Sequence, residues 1–158
     1  MSVRSCTALT TMRYFLALLA VVAWAGVAEA QGPGIRGGVS VDPDQFYVGA
    51  HYETSALVDR LHFRPNVEAG FGDDLTTIAL NFDFVYKFPH RSSWGIYAGG
   101  GPAVNFYSFD RGGDDDTESE PGLNFMIGIE QNSGLFFEFK IGAIDSPELK
   151  FGVGWTFR

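Results

Sequence analysis

The sequence predicts an all-β chain, closed into an antiparallel up-and-down transmembrane β-barrel of about eight strands. Three observations carry that prediction. Bulky apolar residues alternate with small or charged ones at period two through successive segments, as strands with two unlike faces require. Pooled over the segments, the apolar face holds roughly thirty bulky side chains, whereas the interior of an eight-stranded barrel takes on the order of a dozen. The other face collects small residues, among them Gly38, Gly49, Gly70, Gly99, Gly101, Gly128, Gly142, Gly152 and Gly154. The bulky face must then look outward. In water such a surface aggregates; in a bilayer it meets lipid.

Composition narrows the alternatives. A chain of 158 residues holds one domain at most. Its formal charge of −8 argues against nucleic-acid binding, which needs basic patches. Residues 1–30 read as a secretory signal peptide cleaved after Ala30. Arg4 and Arg13 supply positive charge, Tyr14 to Val22 form a short apolar core, and Ala28-Glu29-Ala30 has the small-x-small form of a cleavage site. A retained anchor is the alternative, but the apolar run is short and ends in that triplet. Cys6, the only cysteine, precedes the apolar core, so the barrel domain, 31–158, holds no thiol for disulfides, metal sites or nucleophiles. Nor does it hold an apolar run of about 18 residues, so no helix in it is expected to cross a membrane.

Each strand follows from its alternation. The first, over 34–41, sets Ile35, Val39 and Val41 against Arg36, Gly38 and Ser40, and Asp42-Pro43-Asp44 turns the chain. The second, 45–53, sets Phe46, Val48, Ala50 and Tyr52 against Tyr47, Gly49, His51 and Glu53; a looser connection covers 54–59. The third, 60–72, sets Leu61, Phe63, Val67, Ala69 and Phe71 against Arg60, His62, Arg64, Asn66, Glu68 and Gly70, with Pro65 pointing to an edge or a bulge. After a turn at 72–74, the fourth, 75–88, sets Ile78, Leu80, Phe82, Phe84, Tyr86 and Phe88 against Asn81, Asp83, Val85 and Lys87. The fifth, 94–107, carries Trp94, Ile96, Ala98, Val104 and Phe106 on one face, and Gly99-Gly100-Gly101-Pro102 suggests a bend or bulge. The longest connection, 108–122, is rich in Asp and Glu. The sixth strand, 123–131, turns through Asn132-Ser133 into the seventh, 134–144, where Phe137, Phe139 and Ile141 oppose Glu138, Lys140 and Gly142. Asp145-Ser146-Pro147 leads to the last, 148–158. There Leu149, Phe151, Val153, Trp155 and Phe157 oppose Lys150, Gly152, Gly154, Thr156 and Arg158.

If the first strand starts at the periplasmic rim, Tyr52, Tyr86, Phe88, Trp94, Trp155 and Phe157 gather at that rim as an interfacial aromatic girdle, and the acidic connection projects outward. The inward charges then nearly balance: Arg36, Arg60, Arg64, Lys87, Lys140 and Lys150 against Glu53, Glu68, Asp83, Glu130 and Glu138. They are expected to pair as a plug rather than line an open channel, with Lys150 reaching Glu138 or Glu130. Arg158 has no assigned role.

Two stretches carry a family resemblance. Trp94-Gly-Ile-Tyr-Ala-Gly-Gly-Gly-Pro102 is similar to the glycine-rich strand of the small outer-membrane β-barrel superfamily. Phe151-x-Val-x-Trp-x-Phe157 looks like its alternating terminal strand. That superfamily includes the OmpA transmembrane domain, OmpX-like and OmpW-like proteins and opacity-type surface antigens. The resemblance covers 31–158. It implies the bacterial outer membrane, contact with its lipid and lipopolysaccharide, and a terminal strand read by the barrel-assembly machinery. Arg158 after the final Phe departs from the commonest ending.

Candidate chemistry is sparse, and no catalytic, cofactor-binding or metal-ligating residue is assigned. The glycines near Gly99 lack the helix that a nucleotide fingerprint needs. His51 and His62 point inward near Glu53 and Glu68, an arrangement read as hydrogen bonding before metal binding. The acidic run 114–118 lacks the spacing of an EF-hand loop and reads as a solvated loop. His90-Arg91-Ser92 faintly resembles the His-x-Ser of an outer-membrane lipid A deacylase but falls on the periplasmic side. The expected function is non-enzymatic, structural or surface-interacting, with a surface ligand met by the acidic loop 108–121. The alternatives are an OmpW-like barrel that binds or passes a small hydrophobic molecule and a secreted lipocalin-like carrier.

Overall fold

The computed structural model of the chain describes residues 32–73, 75–111, 114–144 and 146–158 and, within these, the side chains outside 109–117. The expected signal peptide lies outside the described residues, as do the side chains of Asp114, Asp115 and Asp116. Nine strands follow in order: β1 Gly32–Val41, β2 Gln45–Glu53, β3 Ala56–Val58, β4 Leu61–Gly72, β5 Leu75–Lys87, β6 Trp94–Arg111, β7 Asp114–Gln131, β8 Leu135–Ala143 and β9 Leu149–Thr156. β3 is a short piece within the connection from β2 to β4 and pairs with β4 alone. The other eight form a ring of antiparallel neighbours, because β2 also pairs with β4 and β9 returns to β1 from Gly34↔Thr156 to Val41↔Leu149. A closed ring leaves the barrel wall no open edge, which lets strands cross lipid with their backbones satisfied.

Alternation sends each side chain where its parity predicts. Phe46, Val48, Phe71, Ile96, Phe125, Ile127, Phe151 and Phe157 are among the large apolar groups left exposed on the outer wall, while Arg36, Arg64, Glu68, Asp83, Glu138 and Lys140 are buried within. Three connections, 54–60, 88–93 and 132–134, lie at one end, which we call the inner end; the connections 42–44 and 144–148 lie at the other. Tyr52, Tyr86, Phe88, Trp94, Trp155 and Phe157 sit at the inner end, where Tyr86 packs edge-on against Phe88 and Trp94 stacks on Phe137.

Three expectations need correction. No bulge interrupts the glycine-rich strand: Asn81↔Ala103 and Phe84↔Gly100 keep one register across Pro102, and β6 pairs with β7 without a break from Trp94↔Gln131 to Arg111↔Asp114. The glycines serve close approach instead, since a Cβ on Gly101 would overlap the Phe82 carbonyl. Pro65 likewise lies inside the ring between β2 and β5. The β2–β4 ladder stops at His51↔Asn66 and resumes with Thr54 N–H donating to the Phe63 carbonyl at 3.0 Å, the register unshifted. Finally, the acidic stretch is mostly strand. Only 112–113 separate β6 from β7, and β8 ends at Ala143 opposite Leu123, so residues 114–122 of β7 pair with β6 alone as a ribbon beyond the rim.

The turn from β7 to β8 shows why one glycine is needed. Asn132, Ser133 and Gly134 form a three-residue hairpin closed by Gly134 N–H donating to the Gln131 carbonyl at 2.8 Å. Gly134 has φ 102°, and its missing Cβ would sit on the Thr156 carbonyl of β9.

Candidate functional site: the charged lumen

Every barrel strand except β6 contributes a charged side chain to one connected network of ions inside the ring. At the inner mouth, Glu53 from the end of β2 and Glu130 from the end of β7 hold Lys87 of β5, at 2.5 and 2.9 Å. Arg158, just past β9, joins both carboxylates, so the residue without a role in the sequence closes the inner end of the network. One level deeper, the fully buried Arg64 of β4 reaches Glu53 at 2.5 Å, Glu130 at 3.0 Å and Glu138 of β8 at 3.5 Å. Arg36 of β1 bridges Glu138 at 3.0 Å and Glu68 of β4 at 3.2 Å. Towards the outer end, Lys140 binds Asp83 at 2.9 Å and Lys150 binds Glu68 at 2.8 Å. An isolated charge in such a place is costly; here each has at least one opposite partner.

Aromatic rings fill the space that glycines leave. Cβ atoms on Gly128, Gly152 and Gly154 would collide with Tyr97, Tyr47 and Phe136 respectively. Tyr97 donates its hydroxyl to Glu138 at 2.9 Å and lies under the Arg64 guanidinium, 4.9 Å from it. Phe136 is fully buried between Arg36 and Arg64, at 5.4 and 5.2 Å, so both cations also gain a ring face. A run of amides crosses the lumen next: Asn124 donates to Asn81, Asn81 to Asn66, and Asn66 to Asp83, at 2.7, 2.8 and 2.8 Å.

Two of the expected ionic assignments change. Arg60 is exposed in the turn before β4 and outside the lumen, because β4 begins at Leu61. Lys150 binds Glu68 rather than Glu138 or Glu130. It stands directly opposite Lys140 in the β8–β9 register, and Glu68 reaches across from β4 to separate the two cations. The histidines do not converge. His51 bonds Thr156 Oγ1 at 3.0 Å and meets Phe136 edge-on, whereas His62 bonds the Thr54 carbonyl at the inner mouth. His90 binds the Ser92 carbonyl, and the Ser92 hydroxyl donates to the Trp94 carbonyl, so the two are not a base and its nucleophile. Phe136, the apolar residue among the charges, went unassigned in the sequence although its parity and the glycine at 154 opposite it both point inward.

The two mouths differ in charge. A cavity of about 240 Å³ at the inner end is lined by His62, Lys87, His90, Tyr97, Glu130 and Arg158 among others. The outer mouth opens on a crevice of about 370 Å³ bordered by Asp42, Tyr107, Glu118, Glu120, Ser146 and Glu148. Between them the lumen is packed with the ions and amides described above.

Comparison with known structures places this arrangement. The N-terminal β-barrel domain of Pseudomonas aeruginosa OprF superposes with a TM-score of 0.58 at 14% identity, covering 79% of this chain and 96% of that one. The fold is that of the small eight-stranded outer-membrane β-barrels. Neisserial surface protein A shares it, with a TM-score of 0.53 at 16% identity over 79% of this chain and 94% of its own. No protein-family model matches the sequence, and no curated protein matches it either. At such identities what is shared is the eight-strand barrel itself, and the lumen's side chains have to be read from this chain alone.

Proposed function

We propose that this chain is an integral outer-membrane barrel of the bacterial envelope, with a structural or surface-interaction role and no enzymatic one. The observation that supports it is the inverted burial: a closed wall whose outer face is almost wholly apolar, around an interior of paired charges. A water-soluble barrel would carry the reverse, and a secreted carrier would need an apolar cavity where this chain has a salt-bridged lumen. The same packing disfavours a passage for hydrophobic molecules. Outer-membrane lipid and lipopolysaccharide are the proposed contacts of the wall, the assembly machinery the proposed reader of β9, and the ribbon over 108–121 the proposed contact for a surface ligand. The test is fractionation followed by electrophoresis of unboiled and boiled membrane extract. A heat-modifiable band in the outer membrane is expected; a soluble protein with unshifted mobility refutes the reading.

A further inference from the structure

The cavity at the inner mouth combines features that the ion network does not use up. The cations of the whole network outnumber its carboxylates. Among the described residues the network joins six cationic side chains, Arg36, Arg64, Lys87, Lys140, Lys150 and Arg158, to five carboxylates, Glu53, Glu68, Asp83, Glu130 and Glu138. The surplus is placed where solvent can reach it: Lys87 and Arg158 are the two cations of the network with appreciable exposure, and both line this cavity. Lys87 has three N–H donors and spends two on Glu53 and Glu130, which leaves one for a ligand.

Two imidazoles face the same space with their tautomers set. His62 Nδ1 lies 2.9 Å from the Thr54 carbonyl and His90 Nδ1 2.8 Å from the Ser92 carbonyl. A carbonyl oxygen only accepts, so Nδ1 donates in each ring; Nε2 then accepts in the neutral ring and donates in the imidazolium. The turn folds His90 inward, because a Cβ on Gly95 would meet its Cδ2–Nε2 edge. Two imidazole nitrogens could suggest a metal ion. Lys87 and Arg158 beside them repel one, the Glu130 carboxylate of the lining is already bonded to both, and no metal-holding cluster of histidine, cysteine or carboxylate side chains is found among the described residues.

We propose that the inner mouth binds a small oxyanion, a phosphate or carboxylate group, held by Lys87 and Arg158 and, in the protonated form of each ring, by the Nε2–H groups of His62 and His90. A cavity of about 240 Å³ admits an inorganic phosphate or the anionic end of a small solute. The bound anion balances the surplus cation of the lumen, and charge-assisted donors are the strong kind.

The test uses the full barrel in zwitterionic micelles with labelled histidine side chains. Inorganic phosphate is titrated at an ionic strength held constant with chloride, while the His62 and His90 ring signals are followed. Saturable shifts of both rings are expected. His90→Ala, a change in an exposed turn outside the ion network, should weaken phosphate binding about tenfold, the worth of one charge-assisted bond. Arg91→Ala in the same turn should leave it unchanged. Shifts that chloride alone reproduces, no saturation, or an equal loss in Arg91→Ala would overturn the site. Nanodiscs of phosphatidylglycerol in phosphate-free buffer separate the sources of the anion. The same ring shifts there, absent in phosphatidylcholine, would support the site with a lipid headgroup as its ligand.

Discussion

Arg64 contacts three carboxylates from a position with no access to water, and each of those carboxylates has at least one further cation. Its removal therefore does more than delete contacts. Arg64→Met would leave Glu53 with Lys87 and Arg158 at the mouth and strip Glu138 of one of its cations deep in the lumen. Breaking a buried ionic group in this way costs about 3–5 kcal/mol. Unfolding in denaturant from detergent micelles should report a loss of that size, and an unchanged midpoint would show that the network is not holding the lumen. Phe136 poses a packing version of the same question. Phe136→Ala should cost about 3–5 kcal/mol through an interior cavity, and it also takes the ring face from two guanidinium groups. The ion partners could not be read along the chain, whereas the inward ring was signalled by the parity of Phe136. Parity says that Lys150 points inward, but the tilt of barrel strands decides what lies level with it, and that turned out to be Glu68, 82 residues away. Arg60 shows the complementary difficulty: alternation continues into a turn, so period two does not say where a strand begins.

Among the elements, the hairpin between β7 and β8 concentrates backbone demand at Gly134. A side chain there would face both a left-handed φ and the Thr156 carbonyl. Gly134→Ala is expected to destabilise the barrel by about 1–2 kcal/mol from conformation alone, with the β9 contact adding to it. The strands themselves were legible because their two faces differ so strongly; no residue of the outward set read from alternation is buried. Phe139→Arg tests that assignment directly. Phe139 is exposed near the middle of β8, opposite Phe151 and Ile127, and an arginine at the bilayer midplane costs about 2–4 kcal/mol. Assembly into liposomes should fall accordingly, and a neutral outcome would reverse inside and outside. The ribbon of β6 and β7 was less legible. Its Asp- and Glu-rich composition reads as a loop, yet pairing with β6 carries it on as strand past the end of β8. Acidic residues and Pro121 along the edge left open are the residues that keep such an edge from recruiting another chain.

At the scale of the whole molecule, the barrel is a filled cylinder with unlike ends. At the inner mouth Lys87, Arg158 and two imidazoles meet Glu53 and Glu130, whereas the outer crevice is lined by carboxylates with no lysine or arginine beside them among the described residues. A solute crossing it would have to displace amides and ion pairs in succession. Reconstitution in a planar bilayer should accordingly give no steady open-pore current, and a stable ohmic conductance would contradict the packed lumen. The fold class was legible at this scale from a volume argument that needed no partners: too many large side chains on one face to fit within. What was not legible is how the inner mouth is charged, since that depends on which residues the turns bring round to the rim. His90, in a turn, and Arg158, past the last strand, are both such residues.

The pairing of β9 with β1 has one more consequence, which concerns time rather than shape. Gly34 meets Thr156 and Pro33 accepts a bond from Phe157, so the contacts that seal the wall join residues about as far apart along the described chain as any can be. Until they form, a sheet of eight or fewer strands has two bare margins of N–H and C=O groups that hydrocarbon cannot solvate. A half-built wall is therefore no resting point within a bilayer. The ring must come together and enter lipid as one event, slow to nucleate because its decisive contacts are the least local ones, and hard to undo once made.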